Sequence, residues 1–436
     1  MANISRSHYV EQSVRIAIIG SGIAGLICAH LLHPHHEVTV FEADHRIGGH
    51  THTIQTPSGH WVDTGFIVFN YENYPNFTGL LQELGIAAQP TSMSFSSSCE
   101  TTGMEYSTAS INRLFDQRRN LVNPTMYSMI RGILRFNRDV TRLRNEVDES
   151  VTVADFVEKH RYSSAFVKHF LYPISTALWS CPQSSIATFP MRFILEFYHH
   201  HSMHHILNQP GWNVIQGGSH RYVEKLTRPF HNRIRTGTPI QRVTRTSESV
   251  ALQTTSGSES FDEVIFACHS NQALNILQND CQPVEQELLS AFPYSKNAVT
   301  LHTDTRVLPR HPKTWSAWNA RVEKTPSSEV KVTYNMNILQ RLQAKEAYCV
   351  SLNQDMQLDS SKIIRQLQYD HPNYNTRRAK AQSRHREVIR QHRTSFCGAY
   401  WGNGFHEAGV TSALRVCEAF GAVPAWRKFP TESKNN

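Results

Sequence analysis

Residues 14–19, VRIAII, are apolar at nearly every position and rich in β-branched side chains. That pattern suits a strand buried on both faces. IAGLICAHLL follows with helical composition, and EVTVFEA, residues 37–43, reads as a second strand. The first two runs together approach the length of a membrane span. Gly20, Gly22 and Gly25 interrupt them, so a strand, a tight turn and a helix are expected instead. From about residue 73 to 204 the pattern turns mostly helical, as in TVADFVEKHRYSSAFVKHFLYPISTALW. Between 234 and 268 short alternating runs surround an SGS turn and end in the buried strand EVIFAC. NAVTLHTD, VKVTYNMN and AYCVSLN read as further strands, and FPTESKNN as a disordered tail.

The three glycines stand at G-x-G-x-x-G spacing between strand and helix. The first allows a tight turn, the second lets backbone approach a pyrophosphate, and the third lets helix and strand pack closely. Free N–H groups at the helix N-terminus then favour the diphosphate. Glu42 ends the second strand 22 positions after Gly20, where an acidic residue is expected to hold a ribose. Strand, glycines, helix, strand and acid in this order predict a dinucleotide site.

The next residues, EADHRIGGHTHT, carry Glu42, Arg46, Gly48 and Gly49 in an E-x-x-x-R-x-G-G pattern. Near the other end, FCGAYWGNGFHEAGVTSALRVCEAF has a strand-end glycine, a turn and a helix. Together they resemble the flavin-containing amine oxidase superfamily, which includes monoamine oxidases, protoporphyrinogen oxidase and phytoene desaturase. VDTGFIVFN, ALWSCP, GWNVIQGGSHRYVEKL and LHTD narrow the resemblance to bacterial-type FAD-dependent oxidoreductases linked with fatty-acid-modifying enzymes. It covers most of residues 14–423. Ala399 stands where amine oxidases usually have Glu, and Ala408 where the narrower group commonly has Asp. The first departure weakens a transfer of amine oxidation in particular.

The resemblance implies an α/β fold: a Rossmann-like FAD-binding domain of the amine oxidase/glutathione reductase type with a discontinuous α+β substrate domain containing a helical insertion. The FAD-binding parts are expected at 14–72, 205–284 and 390–427, the helical cap at 73–204, a substrate sheet at 285–389 and a disordered tail at 428–436. FAD is the implied cofactor. Its expected contacts are Gly20, Gly22, Ile23, Ala24, Gly25, Glu42 and Ala43 in the first part, with Arg46, Gly48, Gly49, Thr64, Gly65 and Phe66 after them. Ile240 and Ala267 would flank the adenosine. Gly398, Trp401, His406 and Val410 would close the site, with the last helix starting at Val410 and Thr411. That helix N-terminus would stabilise negative charge on the flavin pyrimidine.

The chain has 436 residues, 39% hydrophobic and 18% charged, with a net charge of +8. This composition excludes a disordered chain. The eight cysteines form no C-x-x-C pair, which fits free thiols in a reducing, cytoplasmic setting. No signal peptide is expected at the start. No nucleic-acid-binding module accompanies the basic charge. His200 and His204 are four apart within FYHHHSMHHI, but no carboxylate is placed with them, so no metal is expected. The basic run 377–393 reads as a solvated helix, with a lipid headgroup as the alternative contact and peripheral membrane association as its consequence. The expected substrate is a small apolar or lipid molecule. Trp179, Phe189, Tyr334 and Tyr400 are its candidate contacts, with Tyr334 and Trp401 as the catalytic candidates. Three functions remain open: hydride transfer at a C–H bond of a fatty acyl chain, amine oxidation at a C–N bond, and an FAD-stabilised binding subunit. The amine reading wants a lysine near the flavin; Lys331 is the candidate in the nearby strand.

Overall fold

The computed structural model describes residues 13–204, 211–324 and 331–427. The run RIAII forms the central strand, Arg15–Ile19, of a five-stranded parallel sheet. Glu37–Phe41 and then Ile234–Arg235 lie to one side, Glu263–Phe266 and Thr394–Phe396 to the other. Three distant stretches of chain therefore build one sheet. The first helix, Ile23–Leu32, and the last, His406–Ala419, cover one face; Leu26, Ile27, Ala413 and Leu414 pack there against Ile16 and Ile18. Ala17, Ile19, Val264 and Phe266 face the other way, into a core shared with an antiparallel sheet of residues 242–261. Burial on both faces explains why the strands read as continuous apolar runs.

A second, seven-stranded sheet runs in the order Ile363–Pro372, Tyr294–His302, Cys349–Leu352, Val332–Asn335, Trp318–Val322, Phe95–Cys99 and Glu105–Ser107. The 73–204 stretch is thus less helical than its pattern implies. FSSSC and EYS become strands because their serines find hydrogen-bond partners inside the sheet: Ser96 donates to Asn319, and Ser107 pairs with Ser316. Helices of residues 124–200 pack over this sheet. The longest, Pro124–Leu143, starts with Pro124 after the Asn123 cap and buries Met126, Met129, Phe136 and Val140 at helical spacing. Gly132 lets it approach Phe166, whose Cβ would lie 2.4 Å from an added Cβ.

Two expected helices are shorter than their patterns. The basic run is broken into Arg378–Ser383 and a turn at His385–Val388, and Arg378 and His385 are buried rather than solvated. Arg378 lies over the Tyr374 ring at 4.1 Å. The histidine-rich helix ends at His200, so His200 and His204 share no helical face. His205 and the tail 428–436 lie outside the described residues.

The sheet and first helix meet at the third glycine, where an added Cβ would lie 2.0 Å from the Gly20 carbonyl oxygen. Gly25→Ala should destabilise the apoprotein by about 1–3 kcal/mol through overpacking. A thermal midpoint equal to wild type would show that the crossing is looser than this.

Candidate functional site

The turn after the first strand is built from backbone. Gly20 has φ +106°, and an added Cβ would lie 2.9 Å from the Ala267 oxygen. The first helix then begins at Ile23 with Gly22 as N-cap, no side-chain cap and no acid in its first turn. Its leading N–H groups are left for an anion. Apart from its chain neighbours, no described residue lies within 4 Å of a Cβ added at Gly22. Gly49 crosses so closely that its own added Cβ would lie 3.0 Å from the Gly22 Cα. Ser21 ties the parts together: its N–H and hydroxyl donate to Glu42 Oε2 at 2.9 and 2.5 Å, and it receives the Gly48 N–H on its carbonyl at 3.0 Å. The Asp44 N–H donates to Glu42 Oε1, so the carboxylate is fixed at the strand end.

These residues form one end of a cavity of 1690 Å³ that continues into the second sheet. An ordinary small-molecule pocket holds about 300–1,000 Å³. The volume accommodates a dinucleotide and a further ligand. Trp179, Phe197, Tyr374 and Phe405 form an aromatic wall midway, with ring centroids 5.0 Å apart for Trp179–Phe197 and 5.4 Å for Phe197–Phe405. Beyond it the lining is Phe95, Tyr106, Ile130, Ile133, Phe170 and Ile174. Among the described lining residues only Glu42, Arg46, Lys296 and Asp370 carry a formal charge. Glu42 and Arg46 belong to the dinucleotide end; Lys296 faces Asp370 in the strand register, and the Asp370 backbone bonds His50, so that pair lies by His50 rather than in the apolar limb. Among the described residues the buried Trp179 indole N–H has no partner on the cavity, as a donor awaiting a ligand would.

His50, His269 and His371 converge between these two ends, the His50 ring lying 5.8 Å from His269 and 5.7 Å from His371. Burial, then repulsion by His269 and Arg46, pushes His50 down to about 3. Burial, then His50, takes His371 to about 3, and burial, then His371, takes His269 to about 4. His406 is likewise held far below its usual value by burial; its ring stacks on Phe66 at 3.5 Å, and Nε2 meets Thr51 and Tyr222 hydroxyls at 3.0 Å. The site therefore presents neutral imidazoles.

Most residues singled out from the sequence line this cavity: Gly20, Gly22, Ile23, Ala24, Glu42, Ala43, Arg46, Gly48 and Gly49, then Thr64, Gly65, Phe66, Ile240, Ala267, Gly398 and His406. Trp179, Tyr334 and Tyr400 line it too. Gly25 acts one layer back, at the helix crossing. Trp401 is a correction. Its ring lies behind Tyr400 at 5.4 Å, stacks on His385 at 4.1 Å and meets Phe292 edge-on, so it packs in the core and does not line this cavity. Val410 is another: the last helix starts one turn earlier, at His406, and Val410, in its second turn, is fully buried in the core and does not line the cavity. Phe189 stands behind the wall, against Trp179 and Tyr374. The Tyr334 hydroxyl donates to the Ala177 carbonyl at 3.1 Å, which braces the wall and occupies its proton. Lys331 pairs with Glu323 at 2.6 Å, away from the cavity. Sequence reasoning passed over His50, although it directly follows Gly49. His269, His371 and Lys296 carried no local signal.

Gly22→Val fills the open space at the helix N-terminus. The folded apoprotein should keep its thermal midpoint yet retain no flavin absorbance after purification; full flavin content would contradict this placement. Acidity should weaken the apoprotein. The unfolded chain takes up protons below the ordinary histidine value of 6.5, whereas His50, His371 and His269 resist until about 3 to 4. Stability is therefore lost as pH falls from 6.5 towards 4, and His50→Gln with His371→Gln should flatten that slope in denaturant titrations. An unchanged slope would place the acid sensitivity elsewhere.

The chain matches the model of the family described as flavin containing amine oxidoreductase over residues 23–316. A 74-residue stretch is 38% identical to 15-cis-phytoene desaturase of Synechococcus elongatus; the match takes in 17% of this chain and spans 15% of the curated relative's length. The fold is similar to that of a CLA-producing fatty acid isomerase from P. acnes, with a TM-score of 0.68 and 15% identity over 94% of this chain and 99% of that one. It is equally similar to cyclohexylamine oxidase from Brevibacterium oxydans, with a TM-score of 0.68 and 15% identity over 94% and 100% of the two chains. The bare helix N-terminus, the fixed Glu42 and the family match agree: the chain belongs to the flavin containing amine oxidoreductase family, and its cofactor is FAD.

Proposed function

We propose that the protein is an oxidoreductase that desaturates or isomerises an apolar, chain-like substrate of the fatty acyl class, with hydride transfer at a C–H bond. The observation that carries this reading is the uncharged far limb of the cavity, walled by Phe95, Ile130, Ile133, Phe170 and Ile174. An unpaired charge entering that limb would lose its hydration without compensation. A hydrocarbon chain gains free energy there.

Bound FAD supplies a two-electron acceptor for that hydride. Under this proposal the first helix N-terminus and the loop of Gly48 and Gly49 hold the diphosphate, Glu42 accepts from the ribose hydroxyls, and Ile240 and Ala267 flank the adenine. Gly65, Phe66, Gly398 and the start of the last helix enclose the ring system. The aromatic wall excludes water from the reacting carbon, which removes a competing hydrogen-bonding solvent. Tyr334 positions that wall through Ala177. The Trp179 N–H is the donor left for a polar atom of the ligand.

Amine oxidation at a C–N bond is the second reading. Trp179, Phe197, Tyr374 and Phe405 favour it, because aromatic faces attract an ammonium group.

Anaerobic flavin reduction separates the two. Each buried methylene contributes at most about 0.8 kcal/mol, or roughly a fourfold gain in affinity. Half-saturating concentration should therefore fall with each added methylene until the limb is filled. Equilibrium bleaching detects net oxidation, while product analysis detects an isomer formed with no lasting bleach. Amines that bleach the flavin in step with their deprotonation, while no acyl chain reacts at any length, would overturn the acyl reading.

A further inference from the structure

Five of the most exposed large apolar side chains fall within one short stretch. Ile111 is 79% exposed and Val122 82%, with Leu121, Tyr127 and Leu134 close to half. Between residues 111 and 138 stand six arginines and a single acid, Asp116. Arg135 is engaged, pairing with Asp139 and lying over the Tyr162 ring. Arg113, Arg118, Arg119, Arg131 and Arg138 are exposed.

The helix Pro124–Leu143 sorts these residues by face. Tyr127, Arg131, Leu134 and Arg138 follow at spacings of four, three and four, so they form one outward ridge. Ile130, Ile133 and Asn137 occupy the adjoining face and line the cavity. Leu134 belongs to both, being exposed and a lining residue; Ile111 does the same across the mouth. The uncharged limb therefore reaches the surface in the middle of this patch.

We infer that residues 111–138 dock on an anionic phospholipid bilayer and that the cavity opens into it. Apolar side chains enter the acyl boundary while arginines bind phosphates above it. No described helix is long and apolar enough to cross a membrane, so the contact is interfacial. A second copy of the chain on this patch would set arginine against arginine, which opposes self-association. The entrance role rests on the acyl reading above. Docking does not, since it is measured without substrate.

The test is co-sedimentation of the FAD-loaded protein with phosphatidylcholine vesicles, with and without a third of phosphatidylglycerol. Wild type should sediment with the anionic vesicles and be released by salt. Arg118→Glu with Arg131→Glu should weaken binding by about tenfold or more. Leu121→Ser with Val122→Ser, neither residue lining the cavity, should also lower the bound fraction while flavin content and thermal midpoint stay at wild-type values. Failure of wild type to bind anionic vesicles, or binding equal in both variants, overturns the inference. A dimer dissociated by the same substitutions, without vesicle binding, overturns it in favour of a second copy. If docking holds but a water-soluble amine, and no acyl chain, reduces the flavin, the substrate reading fails and the surface stands.

Discussion

The first helix must begin with bare backbone, and much of the site depends on that constraint. A side-chain cap at Gly22 or an acid in the first turn would satisfy the leading N–H groups and occupy the position of an anion. Neither is present. The helix is held in place from the sides instead. Gly25 brings it onto Gly20, the last helix lies along it, and Ser21 clamps Glu42 and Gly48 around its start. Polar groups beside the N-terminus are satisfied by one another, while the N-terminus itself is kept for a ligand.

A dinucleotide diphosphate brings negative charge into a largely apolar chamber. Positive charge from the chain is sparing there: Arg46 and Lys296 are the lysine and arginine side chains among the described lining residues. The nearby histidines are driven neutral by burial and by one another. Backbone dipoles therefore carry much of the anion's stabilisation, and they do so without closing the route to the apolar limb.

The dinucleotide end was legible because its determinants are local. Gly20, Gly22, Gly25, Glu42, Gly48 and Gly49 fall within a short stretch of chain, and each is dictated by backbone geometry that a sequence pattern records. The apolar limb was not. Phe95, Ile130 and Phe170 look like ordinary core residues, since lining a cavity and filling a core demand the same side chains. Trp401 shows the converse error: the resemblance placed it at the site, but Tyr400 lines the cavity and the Trp401 ring packs behind it, against His385 and Phe292. His371 and His269 reach His50 only through the long-range pairing of sheets. The serine-rich strands near residue 96 escaped because their partners, such as Asn319, lie more than two hundred positions away.

The most direct test of a divided cavity is a crystal structure of the FAD-bound protein with a saturated fatty acid that cannot react. The diphosphate should lie within hydrogen-bond distance of the Ile23 and Ala24 N–H groups, and the acyl chain should run past Trp179 between Phe170 and Ile133. A dinucleotide seated away from the first helix, or an acyl chain bound only outside the cavity, would contradict the two-part arrangement.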